Sequence, residues 1–268
     1  MITEQAFAKI NLNLHITGLR PDGYHGVDMV MQTVAFHDTL QLELLPDAQI
    51  ELHSNCPDLD NEQNLAWRTA RLLQSRYNVP KGVKINLTKR IFVAAGLAGG
   101  STDGAAVLRG CNKLWQLGLD NATLEKLASE LGSDVPFLIQ GGTARATGRG
   151  EILTPYPDEP KRLVVLAKPK DIGISTKWAY QSYDQLPARV DKASTENVLE
   201  LVAFPAYPVL AEMQRAAQQA GAAKVLMSGS GPTMYAICDN QEQVQAVVRV
   251  WQKFNVDIET TMFQERIQ

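Results

Sequence analysis

The sequence is poor in cysteine and has no long hydrophobic run. It contains three cysteines in 268 residues, widely separated and without a Cys-x-x-Cys pair. Such usage predicts neither a disulfide framework nor a zinc site, and it is typical of reduced thiols in the cytoplasm. The chain does not begin with a basic segment followed by an apolar run, and its longest apolar stretches, such as Leu163–Ala167, are too short to cross a bilayer. We therefore predict a cytoplasmic protein with no membrane partner.

The sequence also lacks an excess of positive charge. It has 26 lysine and arginine residues against 29 aspartate and glutamate residues, a formal net charge of −3. Proteins that bind nucleic acids usually show a basic excess, so we predict no nucleic-acid partner. The length allows one large or two ordinary domains, and a content of 45% hydrophobic and 21% charged residues is that of an ordinary globular protein.

Two common phosphate-binding motifs are missing, but another glycine-rich stretch is present. No Gly-x-x-x-x-Gly-Lys-Ser/Thr occurs, and no Gly-x-Gly-x-x-Gly is followed by an acidic residue about twenty positions later. Residues 91–106 are instead rich in small side chains that let the backbone lie close to a ligand. Ser101 and Thr102 are good helix caps, and the unpaired N–H groups of a helix start favour an anion such as phosphate. The alternative is a tight strand-to-helix connection packed on a sheet.

Polar and apolar residues alternate near the N-terminus. The period of two over residues 8–16 predicts a strand on which Lys9 and Asn11 share one face, about 7 Å apart. A solvated sheet face explains most such patterns, although this row of hydrogen-bonding groups also fits a binding surface. The turn-rich segment 18–26 contains a tyrosine and a histidine, which either belong to a structural hairpin loop or hold a flat ring.

The rest of the chain predicts a mixture of helices and strands. Strands are expected at Met29–Phe36 and Leu40–Leu44, and Asp134 is expected to cap a helix. A cluster of prolines predicts a boundary between domains 1–158 and 159–268. In the second domain, the order strand-helix-strand-strand-helix-strand predicts a ferredoxin-like split βαβ unit with extra helices after its first strand.

Three motifs occur in the order in which the GHMP superfamily of small-molecule kinases has them. Residues 8–12 resemble its N-terminal motif, residues 92–102 its glycine-rich loop, and Met227–Thr233 its C-terminal motif. Residues 20–25, 132–137 and 146–151 resemble the branch of the superfamily whose substrate carries a cytidyl diphosphate group. The resemblance covers nearly the whole chain. It implies an α+β, two-domain fold, with an N-terminal ribosomal-protein-S5-like domain and a C-terminal ferredoxin-like domain.

The resemblance also implies roles for particular side chains. Lys9 and Asp134 match the catalytic pair, in which the carboxylate accepts the proton of the substrate hydroxyl and the ammonium group holds both. The positions that would contact ATP are Asn64, Leu65, Ala94, Ala95, Gly96, Leu97, Ala98, Gly99, Gly100, Ser101 and Thr102. The positions that would contact the substrate are Asn11, Tyr24, His25, Thr176 and Tyr180. The two tyrosines would flank a cytosine ring, and His25 would bond its edge.

The activity implied by the resemblance is phosphorylation of a cytidyl diphosphate alcohol in the non-mevalonate isoprenoid precursor pathway. ATP would be the phosphoryl donor and Mg²⁺ is expected, with no residue assigned as a metal ligand, in a monomer or homodimer. The loop departs from the family pattern at Phe92, Thr102 and Gly104, none of which removes a catalytic group. Two alternatives stay open: a GHMP kinase for another small alcohol, of the homoserine or mevalonate type, or a weak paralogue with a regulatory role.

Overall fold

The structure is a computed structural model that describes residues 1–157, 159–187 and 190–267. Within these residues, ten strands, β1 to β10, are Ile2–Leu19, His25–Leu45, Ile50–Ser54, Gly82–Thr88, Thr143–Gly148, Ile152–Pro155, Leu163–Pro169, Lys224–Met227, Met234–Cys238 and Val256–Met262. In the same ranges, eight α-helices, α1 to α8, are Leu65–Arg76, Gly99–Leu114, Asn121–Ser129, Phe137–Gln140, Thr176–Asp184, Glu200–Ala206, Pro208–Gln219 and Gln241–Trp251.

A long antiparallel hairpin of β1 and β2 forms the centre of the first sheet. Its pairing runs from Ile2 opposite Leu42 to Leu19 opposite His25. Strand β2 also pairs with β4 and β5, which gives the order β3-β4-β2-β5-β6 with β1 on β2. The two strands predicted between residues 29 and 44 are parts of the single strand β2, because the residues between them stay extended and pair with β1.

Helices α1 to α4 lie between strands β3 and β5 in the chain. Their buried residues and those of the first sheet form one hydrophobic core. Helix α2 is buried from Thr102 to Cys111 and packs on β1, β2 and α1. Small residues allow this close approach, since a Cβ atom on Gly110 would overlap the side chain of Leu42. Alternating apolar residues of β2 and β4, such as Leu40, Leu42, Val83 and Ile85, face this core. Ala8 and Ile10 of β1 lie instead in a second buried cluster.

Two helix starts differ from the predicted caps. Helix α2 begins at Gly99, after Ala98 in the left-handed conformation at φ 58°, so Ser101 and Thr102 lie inside its first turn. Helix α4 begins three residues after Asp134, and no side chain caps it. Both capping predictions are wrong. The left-handed residue Ala98 makes α2 begin before Ser101 and Thr102. A separate turn over residues 133–136 places Asp134 before the start of α4.

The second sheet has the strand order β10-β7-β9-β8. Helices α5 to α7 connect β7 to β8, and α8 connects β9 to β10. This is the split βαβ arrangement with extra helices after its first strand, so that prediction is confirmed. Helix α6 was not predicted, because it has only seven residues and contains Pro205.

The two sheets meet through a buried cluster that includes Ile10, Val34, Leu166 and Tyr235. The hydroxyl of Tyr235 donates to the backbone oxygen of Asn11 at 2.8 Å, which ties β9 to β1. All strands of the first sheet lie within residues 2–155 and those of the second within 163–262. The predicted boundary at residue 158 lies outside the described residues. No helix in the described part of the chain is long and apolar enough to span a membrane.

Candidate active site

A cavity of about 1350 Å³ is lined by residues from both halves of the chain. It brings together almost every side chain singled out from the sequence, although these are spread over more than 170 positions. The predicted residues that line it are Lys9, Asn11, Tyr24, His25, Asn64, Leu65, Ala94, Ala95, Gly96, Ala98, Gly99, Gly100, Ser101, Asp134, Thr176 and Tyr180.

Leu97 and Thr102 are the two predicted positions that do not line the cavity. Leu97 is 1% exposed and packs in the apolar cluster between the sheets. Thr102 is buried, and its hydroxyl donates to the backbone oxygen of Phe7 at 2.8 Å. Backbone groups of both residues are engaged as well, because the N–H of Thr102 donates to the oxygen of Ala98 at 2.9 Å and the oxygen of Leu97 accepts from the N–H of Lys9 at 3.2 Å.

The glycine-rich loop reaches the cavity through an unusual backbone. Ala94, Gly96 and Ala98 all have positive φ angles, of 51°, 76° and 58°. At the central one a Cβ atom would overlap the backbone oxygen of Ser228, so only glycine fits there. The hydroxyl of Ser228 in turn donates to the oxygen of Gly96 at 2.9 Å. The loop is therefore held between both domains, and it leads into the N-terminus of α2, where free N–H groups attract an anion.

Lys9 is buried beside this loop without a carboxylate in contact. Its Nζ atom donates to Oδ1 of Asn11 at 2.7 Å and to the oxygen of Gly96 at 3.0 Å. Within the described residues, no carboxylate oxygen lies within 4.0 Å of this nitrogen. Burial lowers the pKa of Lys9, and the negative charge of Asp134 only partly opposes that shift. Among the described residues, no carboxylate therefore contacts the Lys9 amino group, and Asp134 acts on it only from a distance.

Asp134 faces the same cavity from the turn before α4. Its carboxylate has no hydrogen-bond partner in the part of the chain that the structure describes. Its charge acts on Lys9 and, together with burial, raises the pKa of Tyr180 to about 12. Lys9 and Asp134 therefore line one cavity and interact electrostatically without forming an ion pair.

Part of the cavity lining is aromatic, and we call this part the aromatic end. Tyr24 is 59% exposed, and the guanidinium of Arg149 lies 5.0 Å from its ring centroid. His25 lies 4.9 Å from Tyr180 between ring centroids, at an interplanar angle of 33°. The hydroxyl groups of Thr176 and Ser230 are 3.0 Å apart. This end offers ring faces and polar groups to a flat, polar ligand.

Asn64 has a structural task besides its place in the cavity. Its side-chain oxygen caps α1 by accepting from the N–H of Ala66 at 2.9 Å. Its amide nitrogen donates to the oxygen of Leu59 at 3.0 Å. The side chain therefore fixes the start of α1, where Leu65 borders the loop.

The sequence reasoning missed a second lysine on the cavity, Lys89. Its Nζ atom lies 2.5 Å from a carboxylate oxygen of Asp38 and 2.7 Å from one of Asp103. Burial opposes its charge, but the two carboxylates outweigh burial, so that the pKa of Lys89 is raised. Burial also raises the pKa of Asp103 to about 8, against the opposing effect of Lys89.

The second oxygen of Asp38 accepts from the N–H groups of Arg90 and Ile91 at 2.5 and 2.8 Å. This cluster anchors the segment that enters the glycine-rich loop to strand β2. The sequence carried no signal for it, because Asp38, Lys89 and Asp103 belong to separate elements that only the fold brings together.

Comparison with known proteins identifies the fold and the family. Residues 64–142 match the family described as GHMP kinases N terminal domain, and residues 183–257 match GHMP kinases C terminal. The chain is 44% identical over 266 residues to 4-diphosphocytidyl-2-C-methyl-D-erythritol kinase of Bacillus pumilus (strain SAFR-032), covering 92% of this chain and 91% of that protein. It is 43% identical over 264 residues to the protein of that name from Bacillus subtilis (strain 168), again covering 92% and 91%.

Solved structures agree with this placement. A crystal structure of 4-(cytidine 5'-diphospho)-2C-methyl-D-erythritol kinase matches with a TM-score of 0.83 at 28% identity, covering 98% of this chain and 99% of that one. Homoserine kinase from Cytophaga hutchinsonii shares the fold, with a TM-score of 0.71 at 19% identity over 98% of this chain and 95% of that one. The chain belongs to the GHMP kinase family, and the resemblance inferred from its motifs is confirmed.

Proposed function

We propose that this GHMP kinase transfers the γ-phosphate of ATP to a hydroxyl group of 4-diphosphocytidyl-2-C-methyl-D-erythritol, giving the 2-phosphate and ADP in the non-mevalonate isoprenoid precursor pathway. The observation that carries the proposal is one cavity whose lining combines two sets of residues. One set is the glycine-rich loop with Lys9 and Asp134, and the other is Tyr24, His25 and Tyr180. The relatives at 43–44% identity bear the name of this activity.

Asp134 is the group we assign to the proton of the substrate hydroxyl. As that oxygen attacks the γ-phosphorus, a new P–O bond forms, the bond to the leaving ADP breaks, and the hydroxyl proton passes to the carboxylate. Phosphoryl transfer has a loose transition state, so positioning contributes more than base strength. A carboxylate without a hydrogen-bond partner, facing a shared cavity, is free to take this role.

Lys9 and the glycine-rich loop would hold the negative charge of the transferred group. A buried ammonium group without a contacting carboxylate gains most from an anionic phosphate. The first residues of α2, from Gly99 to Ser101, also line the cavity, and the N–H groups of a helix start favour an anion. Preorganised donors of this kind stabilise charge that develops in the transition state.

Mg²⁺ is expected to accompany ATP. No group of three or more His, Cys, Asp or Glu side chains suited to a metal ion occurs in the described residues, which fits a magnesium ion held mainly by phosphates and water. Ser101, in the first turn of α2, is the cavity hydroxyl that would help to complete its shell. When bound, the ion neutralises phosphate charge.

The aromatic end fits the cytidyl group better than the acceptors of related kinases. Tyr24 and Tyr180 offer ring faces to a pyrimidine, whereas homoserine and mevalonate have no flat ring to place there. A regulatory paralogue without activity would have no use for an unpartnered Asp134. We also propose that the enzyme works in the cytoplasm on small molecules alone, as a monomer or homodimer.

The test is ADP release by purified protein with ATP, Mg²⁺ and the cytidyl substrate, with homoserine and mevalonate as parallel acceptors. We expect turnover with the cytidyl substrate only. Asp134→Asn should lower kcat by about 10²- to 10⁴-fold, the range for loss of a general base, with little loss of ligand binding. Asp191→Asn, an exposed aspartate outside the cavity, is the control and should retain full activity. Turnover with another acceptor, or an active Asp134→Asn variant, would contradict the proposal.

A further inference from the structure

A carboxylate that the sequence did not single out holds one of the proposed substrate contacts. His25 lies at the start of β2 and Asp184 at the end of α5, 159 positions apart. The Nε2 atom of His25 lies 2.7 Å from Oδ1 of Asp184. Both side chains line the cavity, where that of His25 is 12% exposed and that of Asp184 is 48% exposed. The contact joins the two domains directly at the aromatic end.

This contact determines which ring nitrogen of His25 carries the proton. An ionised carboxylate only accepts hydrogen bonds, so Nε2 must be the donor. In a neutral imidazole the other nitrogen, Nδ1, is then an acceptor. Within the ranges that the structure describes, Nδ1 makes no hydrogen bond, and the neighbouring Tyr180 ring limits the rotation of the imidazole. In its neutral form, His25 therefore presents an acceptor that is free for a ligand.

A fixed acceptor distinguishes the two common pyrimidines. Cytosine carries an amino group that donates at the position where uracil carries a carbonyl oxygen that only accepts. A histidine that is free to change tautomer can form a hydrogen bond with either base. A histidine whose tautomer is fixed by a carboxylate favours cytosine, because only cytosine offers a donor at this position. A site built around a particular hydrogen bond rejects a ligand that cannot complete it.

We propose that Asp184 is a specificity-determining positioning residue, which keeps Nδ1 of His25 unprotonated so that the cavity selects a cytidine diphosphate group over a uridine diphosphate group. The inference rests on the proposed function, which places the base of the substrate beside His25. Asp184 itself does not contact the base or the reacting atoms. It acts through the tautomer and orientation of the histidine.

The test compares the dissociation constants of CDP and UDP, measured by calorimetry on the full chain. Asp184→Ala should reduce the preference for CDP over UDP by about tenfold, the equivalent of one hydrogen bond. The KM for the cytidyl substrate should rise by a similar factor, while kcat at saturation changes less than about twofold. Asp184→Glu should restore part of the preference. In a His25→Ala background, Asp184→Ala should have no further effect on the ratio.

Asp257→Ala is the matched control, because this carboxylate is also 48% exposed and forms an ion pair at 3.3 Å, with Lys170, outside the cavity. It should leave the ratio unchanged. Asp184→Asn, whose amide can donate to Nε2 and reverse the tautomer, is the second variant should the alanine protein fail to fold. It should lower the ratio as well.

The outcomes separate this inference from the proposed function. An unchanged ratio in the folded Asp184 variants overturns the inference, and so does a wild-type protein that turns over the cytidyl substrate yet binds CDP and UDP equally. Neither result affects the proposed function. A protein whose preference for CDP depends on Asp184, but which releases no ADP with the cytidyl substrate, supports the inference and refutes the proposed function.

Discussion

Two buried lysines on the same cavity have opposite electrostatic surroundings. Lys89 contacts the carboxyl groups of Asp38 and Asp103, at 2.5 and 2.7 Å. Within the part of the chain that the structure describes, the side chain of Lys9 donates only to the neutral oxygens of Asn11 and Gly96. Correspondingly, the pKa of Lys89 is raised and that of Lys9 is lowered. Burial acts on both in the same direction, so the partners make the difference. The protein supplies carboxylate partners to Lys89, whereas the proposed function assigns an anionic ligand to Lys9.

This difference distinguishes a structural ion-pair cluster around Lys89 from the region around Lys9, for which we propose a catalytic role. The Lys89 cluster connects β2 to the segment entering the glycine-rich loop, through the bonds that Asp38 accepts from Arg90 and Ile91. The region around Lys9 instead keeps a cation and a carboxylate, Asp134, apart within one cavity. We expect substitutions in the first region to affect folding and substitutions in the second to affect turnover.

The largest effect is expected for Lys89→Met. Removing the ammonium group leaves the Asp38 carboxylate buried without a cation and Asp103 without its hydrogen-bond donor, which should lower the free energy of unfolding by about 3–5 kcal/mol. Thermal and urea unfolding measure it. Lys224→Met is the control, because its ion pair with Glu196 lies at the surface and contributes about 1 kcal/mol or less. An unfolding free energy equal to the wild type's would show that Asp38 and Asp103 do not depend on Lys89.

Lys9→Met should lower the activity and leave the stability nearly unchanged. Loss of a donor that stabilises developing charge lowers kcat by about 10²- to 10³-fold, while removal of an uncompensated buried charge leaves the free energy of unfolding within about 1 kcal/mol of the wild type, or raises it. Steady-state ADP release and urea unfolding of the same preparation measure both quantities. A stability loss as large as that of Lys89→Met, with kcat retained, would remove the contrast between the two lysines.

The smallest effect is expected for Asp103→Asn. It is measured by urea unfolding at several pH values, as the change of the unfolding free energy with pH. The pKa of Asp103 is raised from 3.8 to about 8 in the folded protein, so the folded state binds an extra proton between these values and stability falls as the pH rises through them. Between pH 7 and 8 the wild type should lose about 1 kcal/mol of unfolding free energy from this group. The asparagine variant should lack this contribution. Parallel wild-type and variant slopes would show that Asp103 does not take up this proton.

Local sequence was enough for much of the fold. The alternation over residues 8–16 and the order of elements after residue 163 led to the correct strands and the split βαβ unit, because side-chain period and chain order are local properties. The capping predictions for Ser101 and Asp134 were wrong for a related reason. A cap depends on the backbone direction into the helix, and in α2 that direction is set by left-handed residues which tertiary contacts hold in place.

The same division applies to the site. The motifs identified Lys9, Asp134 and the aromatic residues, because each motif is a run of neighbouring positions. They did not identify Asp38, Lys89 or Asp184, whose significance lies in partners 14 to 159 positions away. Ion pairs of this kind have no sequence period. The contacts of these three residues are therefore visible in the structure and not in the sequence.

The sequence by itself determined the family, the two-domain architecture and the residue types available for phosphoryl transfer, since these follow from short motifs and hydrophobic patterns. Only the tertiary structure decided which lysine is neutralised, which loop residues face the cavity, and which carboxylate holds His25. The physical reason is that pKa, burial and hydrogen-bond direction depend on distances between atoms of separate elements. Packing of the two sheets sets those distances.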